Sequence, residues 1–296
     1  MSNSVLNEEV YRRFNAFLLE KLSYILNHVP DFISEEFIKE LSQDGKISER
    51  DIYAAILARA SGLDIDKIPA HHELYKNYFF DTVHLLDKDE YQNDPYYKTV
   101  KFPSVRGKKW SFGEASYKPY EIFVCDDFKY MPDGRVIPQI GFFNSHFSYP
   151  VVYENGREWM TVTPNEINTM KDPIKKAHGR VLTYGLGLGY YAFMASNKSE
   201  VESLTVVERD EEIIKLFKKH LLPQFPNKDK ITVILSDAFV YAKEKAPCEN
   251  FDFIFTDIWH DPSDGVMLYK KMKEYEPLCP NSEFAYWIEE TIKYYL

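Results

Sequence analysis

The stretch Val181-Leu182-Thr183-Tyr184-Gly185-Leu186-Gly187-Leu188-Gly189 constrains this chain more than any other. An apolar run enters three alternating glycines, and a second apolar run restarts at Tyr190. That pattern fits a buried strand, a flexible turn and a helix, the opening of a β-α-β unit. The alternation continues downstream. Strands are expected at Val181–Tyr184, Ser203–Glu208, Ile231–Leu235, Phe251–Thr256 and Phe284–Trp287. Helices are expected between them at Tyr190–Ser196, Glu211–His220, near Phe239–Lys243 and at Gly265–Tyr275. This spacing predicts an α/β domain with a parallel sheet and right-handed crossovers. Upstream, Thr163-Pro164-Asn165-Glu166 combines a capping-box pair with proline at the first helical position. A helix to about Lys176 should lead into the first strand.

The rest of the chain has a different character. Residues 1–105 read as helical. Val10, Phe14, Phe17, Leu18, Leu22 and Ile25 form one stripe on a helix over Asn7–Asn27, and Pro30 stops it. Ser34 and Ser48 can cap two further helices, and another is expected over His72–Leu86. Residues 106–162 suggest a small antiparallel β unit. Its strand candidates are Tyr120–Cys125, Val136–Phe143, Val151–Tyr153 and Glu158–Val162, the last two joined by the hairpin signal Asn155-Gly156. The expected organisation is therefore 1–105 helical, 106–162 β, and 163–296 α/β.

The formal net charge is −10, which opposes binding to phosphate backbones, so no nucleic-acid partner is expected. Arg106-Gly107-Lys108-Lys109 is the one short basic run and reads as a solvated loop. Cys125, Cys248 and Cys279 are few and widely spaced, which supports neither a disulfide framework nor a zinc site. His71-His72-Glu73 with His84 lacks the HExxH spacing and reads as a helix terminus, so no metal is expected. No signal peptide or membrane span is visible, and a cytoplasmic protein with a small-molecule substrate is expected.

Four elements carry candidate chemistry. The first is the turn Gly185, Gly187, Gly189, where the backbone can approach a ligand; from Gly187 it also fits the dinucleotide fingerprint. The second is Glu208 at the end of the second strand. It can accept from ribose hydroxyls, or be an ordinary strand-end acid. The third is Ser236-Asp237-Ala238 after the third strand. Asp237 can accept from an adenine amino group while a neighbouring N–H meets a ring nitrogen, or it can cap the next helix. The fourth is the apolar strand that delivers Asp257, followed by His260 and Asp261. His260 is a candidate base, or a loop histidine without a role.

In this order the four elements resemble a class I S-adenosylmethionine-dependent methyltransferase. Within that class Gly185–Asp261 is most similar to the spermidine synthase-like branch, through Val207-Glu208-Arg209-Asp210, Leu222-Pro223, Ser236-Asp237-Ala238 and Asp257 with Asp261-Pro262. The resemblance implies a Rossmann-like fold with S-adenosylmethionine as cofactor. It implies that Gly185, Gly187 and Gly189 line the methionine and ribose, that Glu208 holds the ribose and Asp237 the adenine, and that Asp257 faces the transferred group. Three departures stand out. Thr183 occupies a position where many relatives carry an acid. Leu188 occupies the place of the aspartate that holds an aminopropyl amine. Three residues, not two, separate Asp257 and Asp261. A leucine cannot pair with an ammonium group, which disfavours aminopropyl transfer. Only nine residues follow Trp287, so the usual closing hairpin is expected to be missing, with the helical region or a second subunit covering that edge.

Methyl transfer to a small molecule is therefore the leading expectation, with Asp257, His260 or Asp261 removing a proton. Aminopropyl transfer and a non-catalytic cofactor-binding role are the alternatives, and a nicotinamide dehydrogenase fits less well. Tyr190, Tyr191, Trp259 and Phe147 are candidates for aromatic pocket walls or for core.

Overall fold

The computed structural model describes residues 7–43 and 45–296. In chain order they form α1 (Glu8–His28), α2 (Glu35–Ser42), α3 (Glu49–Ala60), α4 (Pro69–Thr82), β1 (Val83–Leu85), α5 (Lys88–Gln92), α6 (Pro95–Thr99), β2 (Val105–Arg106), β3 (Trp110–Tyr117), β4 (Phe123–Tyr130), β5 (Val136–Phe142), β6 (Phe147–Glu154) and β7 (Arg157–Thr161). They continue through α7 (Pro164–Lys176), β8 (Gly179–Tyr184), α8 (Tyr190–Ser196), β9 (Val201–Glu208), α9 (Glu211–Leu216), β10 (Ile231–Leu235), α10 (Ala238–Glu244), α11 (Ala246–Glu249), β11 (Phe253–Thr256), α12 (Pro262–Lys273), β12 (Glu283–Tyr286) and α13 (Glu289–Tyr294). No helix among them is long and apolar enough to cross a membrane.

Two compact units emerge, and neither is continuous in sequence. One takes the chain up to residue 88 together with 116–148; the other takes 89–115 and 149–296. In the first, α1–α4 bury an apolar face together with a three-stranded sheet of order β1-β5-β4. Tyr53 stacks on Phe142 at 3.9 Å and donates its hydroxyl to the Tyr120 carbonyl. Buried Asn15 accepts from the Tyr78 hydroxyl (2.7 Å) and the Val136 N–H (3.1 Å), so its polar atoms are satisfied inside the core. The helix expected over His72–Leu86 stops at Thr82. Val83, His84 and Leu85 instead pair in parallel with Ile140, Gly141 and Phe142. A partner more than fifty residues away leaves no mark on local periodicity. The expected β unit is likewise divided: β4 and β5 belong to this sheet, while β6 and β7 pair in another.

The second unit contains the five-stranded sheet, in the order β10-β9-β8-β11-β12. Every neighbouring pair is parallel. By appearance this is 3-2-1-4-5, a Rossmann-like arrangement, and the predicted α/β alternation is borne out strand by strand. Among the described residues no antiparallel strand joins this sheet. A four-stranded sheet, β2-β3-β6-β7, accompanies it. Its hairpin turns at Asn155 (φ 51) and Gly156 (φ 80), both left-handed, as the Asn-Gly signal requires.

Residues 106–109 form an exposed turn, as expected, but one anchored by acids. The Lys108 N–H donates to the Glu212 carboxylate at 2.7 Å, and the Lys109 ammonium bridges Glu154 (2.8 Å) and Asp210 (2.9 Å). Acids in and before the first turn of α9 hold this basic turn in place.

Candidate functional site

In a sheet of this order the strand connections diverge on either side of β8, which opens a crevice at the carboxyl ends of the strands. A cavity of about 200 Å³ occupies that place in the second unit. Four strand ends contribute to it: Gly185 and Gly187 after β8, Glu208 of β9, Asp237 and Ala238 after β10, and Asp257 after β11. Trp110, Trp159 and Met160 come from the antiparallel sheet.

Gly185 is required at its position by geometry. Its φ is +99°, and any Cβ there would collide with the Asp257 backbone carbonyl. This close approach joins the ends of the two central strands. Gly187 faces the cavity with the Met160 thioether packed against it. Gly189 lies elsewhere. It is buried at the start of α8, where a Cβ would press into the Phe217 ring, and it does not line the cavity.

The Glu208 carboxylate accepts from the Asp210 N–H at 2.8 Å and the Leu186 N–H at 3.3 Å. It therefore braces the glycine turn as well as lining the cavity. Burial raises its pKa, and these N–H bonds oppose the rise. Asp237 is the helix cap that the sequence allowed, and it also lines the cavity. One oxygen caps α10, accepting from the Phe239 and Val240 N–H groups at 2.9 and 3.1 Å. The exposed side chain also lines the cavity, where its second oxygen is not used by the cap.

Asp257 is 9% exposed, and its Oδ1 has no hydrogen-bond partner. Burial, and then the charge of Glu208, push its carboxyl up to about 7. His260 lines the cavity with its ring stacked on Trp159 (5.4 Å between centroids, 15° between planes). Its Nδ1 lies 3.1 Å from the Trp159 carbonyl. A proton on Nδ1 satisfies that carbonyl and leaves Nε2 as an acceptor. Asp261 is not brought to the cavity. It is the N-cap of α12, accepting from the Ser263 N–H in a capping box with Asp264. Pro262 begins the helix at once, which fixes Asp261 as its cap.

Glu166 was not anticipated. The sequence assigns it to a capping box with Thr163, yet Thr163 makes no side-chain cap bond. Glu166 instead lines the main cavity and a second cavity of about 20 Å³ behind the glycine turn. Burial, and then the charge of Asp257, raise its carboxyl well above the usual range. The one sequence signal for this role is an acid on the helix that feeds the glycine strand. Among the aromatic candidates, Trp259 lines the main cavity and Tyr191 the small one. Tyr190 also lines the small cavity and donates to Asp94 at 3.0 Å, while Phe147 stacks on Phe143 in the first unit's portion of the chain. His71 and His72 bond backbone groups at Asp64 and Ile65. Among the described residues no group of three or more His, Cys, Asp or Glu has a metal-holding arrangement.

No protein-family model matches this chain, and no curated protein matches it. Solved structures do. A putative O-methyltransferase from Klebsiella pneumoniae is 19% identical, covering 32% of this chain and 43% of its own, with a TM-score of 0.26. The 23S rRNA methyltransferase ErmE is 17% identical, covering 41% and 46%, with a TM-score of 0.31. Spermidine synthase from Thermotoga maritima is 18% identical, covering 46% and 48%, with a TM-score of 0.34. This chain spans less than half the length of each.

Proposed function

We propose that the second unit binds S-adenosylmethionine in this cavity and transfers its methyl group to a small molecule. One observation carries the reading: four strand ends converge on one cavity with a glycine turn, Glu208, Asp237 and Asp257 in its wall. The donor set suits an adenosyl group. Glu208 can accept from ribose hydroxyls at the rim, and the free oxygen of Asp237 can accept from an exocyclic amine. The cavity, about 200 Å³, is smaller than the ~300 Å³ at which ligand pockets begin. The flexible Met160 thioether against Gly187 is the side chain that must swing aside for a nucleoside with an amino-acid tail.

When bound, the cofactor supplies an electrophilic methyl group on a sulfonium. The chain's contribution is alignment and proton removal. Nε2 of His260, oriented by the Trp159 carbonyl, accepts a proton from the acceptor, and ionised Asp257 is the alternative base. Trp159, Trp259 and Trp287 add apolar ring surface to the cavity lining. Aminopropyl transfer is the second reading, because Glu166 and Asp257 give the cavity acids that Thr183 and Leu188 do not.

Calorimetry with S-adenosylhomocysteine, followed by turnover on a panel of amines, phenols and carboxylates, tests the first reading. Micromolar binding with methylated product supports it. No affinity for the nucleoside would remove it. Preference for decarboxylated S-adenosylmethionine would favour the second reading.

A further inference from the structure

Four of the acids that line the cavity fall into two kinds, apart from Glu158 and from Glu154 and Asp210, which pair with Lys109. Glu208 and Asp237 accept hydrogen bonds from backbone N–H groups. Asp257 is 9% exposed with an oxygen that nothing satisfies, and among the described residues neither it nor Glu166 is ion-paired. Such a group, left without a partner in a ready-built cavity, is costly unless a ligand supplies the missing donor.

Both acids line the small cavity behind the glycine turn as well as the main one. Its other walls hold buried Thr183 and Leu188, which carry no charge, and Tyr191, whose hydroxyl is also without a partner. The basic side chains of the main cavity are engaged elsewhere or exposed. Lys109 is held by Glu154 and Asp210, Arg209 is exposed, and His260 is engaged with Trp159. A cationic hydrogen-bond donor is what this end lacks. An ammonium group provides up to three N–H donors and a charge that favours both carboxylates in their ionised form.

We infer that Glu166 and Asp257 form an ammonium-binding subsite at the end of the cavity behind the glycine turn. The inference rests on the adenosyl reading for the cavity's other end, but its ligand chemistry does not. The ammonium group has two possible sources, the amino-acid tail of the cofactor or an amine acceptor.

Full-length protein and its Glu166→Gln and Asp257→Asn variants should be titrated calorimetrically with S-adenosylhomocysteine, with 5′-methylthioadenosine, which lacks the amine, and with 1,4-diaminobutane. If the cofactor supplies the ammonium, each variant binds S-adenosylhomocysteine at least about tenfold more weakly and methylthioadenosine unchanged. If the acceptor supplies it, both nucleosides bind unchanged and the diamine loses at least about tenfold. Affinities within about twofold for all three probes in both folded variants would overturn the subsite. Wild-type protein gives a measurement independent of any variant. Near pH 6.5, titration in buffers of different ionisation enthalpy should show proton release with an ammonium-bearing probe and none with methylthioadenosine. Equal proton exchange for all probes would equally overturn it. Diamine binding that depends on Glu166, in a protein with no nucleoside affinity, would keep the subsite and remove the methyl-transfer reading.

Discussion

The two ends of one cavity treat their carboxylates in opposite ways. At one end, Glu208 bonds the Leu186 and Asp210 N–H groups and Asp237 caps α10. At the other end, Asp257 keeps an oxygen without a partner and Glu166 is pushed toward its neutral form by burial and by Asp257. The first pair holds the fold together and is ready for a ligand in the same geometry. In the second pair burial disfavours the ionised form, a cost that a bound donor would offset. Substitutions at the two ends should therefore differ in sign.

The largest effect is expected at Glu208. Glu208→Ala removes the acceptor for two N–H groups, one of which sets the glycine turn. Bonds to a charged acceptor contribute about 1.5–3 kcal/mol each before partial replacement by water, so chemical denaturation should show a loss of about 2 kcal/mol. Nucleoside affinity should fall about a hundredfold or more, since roughly 3 kcal/mol is at stake. A stable variant that still binds S-adenosylhomocysteine would show that this end is not braced as described.

Asp257→Asn should move stability the other way. The folded protein holds the Asp257 proton up to about pH 7, whereas an unfolded chain has released it by about pH 4. Between those values the folded state binds more protons, so stability of the unliganded protein falls as pH rises through this window. The asparagine variant lacks this slope and should be more stable than wild type at about pH 8, by an amount on the order of a few kcal/mol. Melting temperatures across that range check it; parallel pH profiles would contradict the claim that burial suppresses this charge. Turnover should be lost in the same variant if Asp257 is the base, and retained if His260 alone is.

The parts of this arrangement visible in the sequence are those fixed by local rules. Alternating apolar runs and helical stretches specify five parallel strands, and residues that end a strand or directly follow it must lie at the sheet's carboxyl edge, so Glu208, Asp237 and Asp257 could be placed there. Asn155-Gly156 specified its own hairpin. What could not be read was set by partners distant in sequence. Val83–Leu85 became a strand because β5 accepts it. Lys109 was immobilised by acids about a hundred residues away. Glu166 satisfied a capping pattern, but the choice between its helix N-terminus and a cavity lies in tertiary packing. Asp261 shows the reverse: its place after the Asp257 strand suggested chemistry, whereas the structure makes it the N-cap of α12, outside the cavity lining.

Met160 sharpens the comparison from the side of the ligand. Its thioether rests against Gly187, where a cofactor tail would pass between the two ends. Met160→Ala should therefore raise affinity for S-adenosylhomocysteine by about threefold to tenfold, the equivalent of about 1 kcal/mol no longer spent on displacing the side chain. Methylthioadenosine, with its shorter tail, should gain less. Equal or weaker binding of both would mean that the thioether does not stand in the ligand's way.

The smallest functional effect is expected at Asp261, which belongs to neither end. Its side chain accepts from Ser263 and completes a capping box with Asp264 at the start of α12. Its carboxyl is held below the usual range, against the opposing effect of burial, by bonds from the Ser263 side chain and backbone. Asp261→Ala should cost about 1 kcal/mol of stability through loss of the cap. Nucleoside affinity should stay within about twofold, because the residue does not line the cavity. Asp261→Asn, which keeps an oxygen able to cap, should restore most of the stability. A drop in turnover of about a hundredfold in Asp261→Asn, with stability and affinity intact, would instead place this carboxylate at the reacting centre and redraw the boundary of the site.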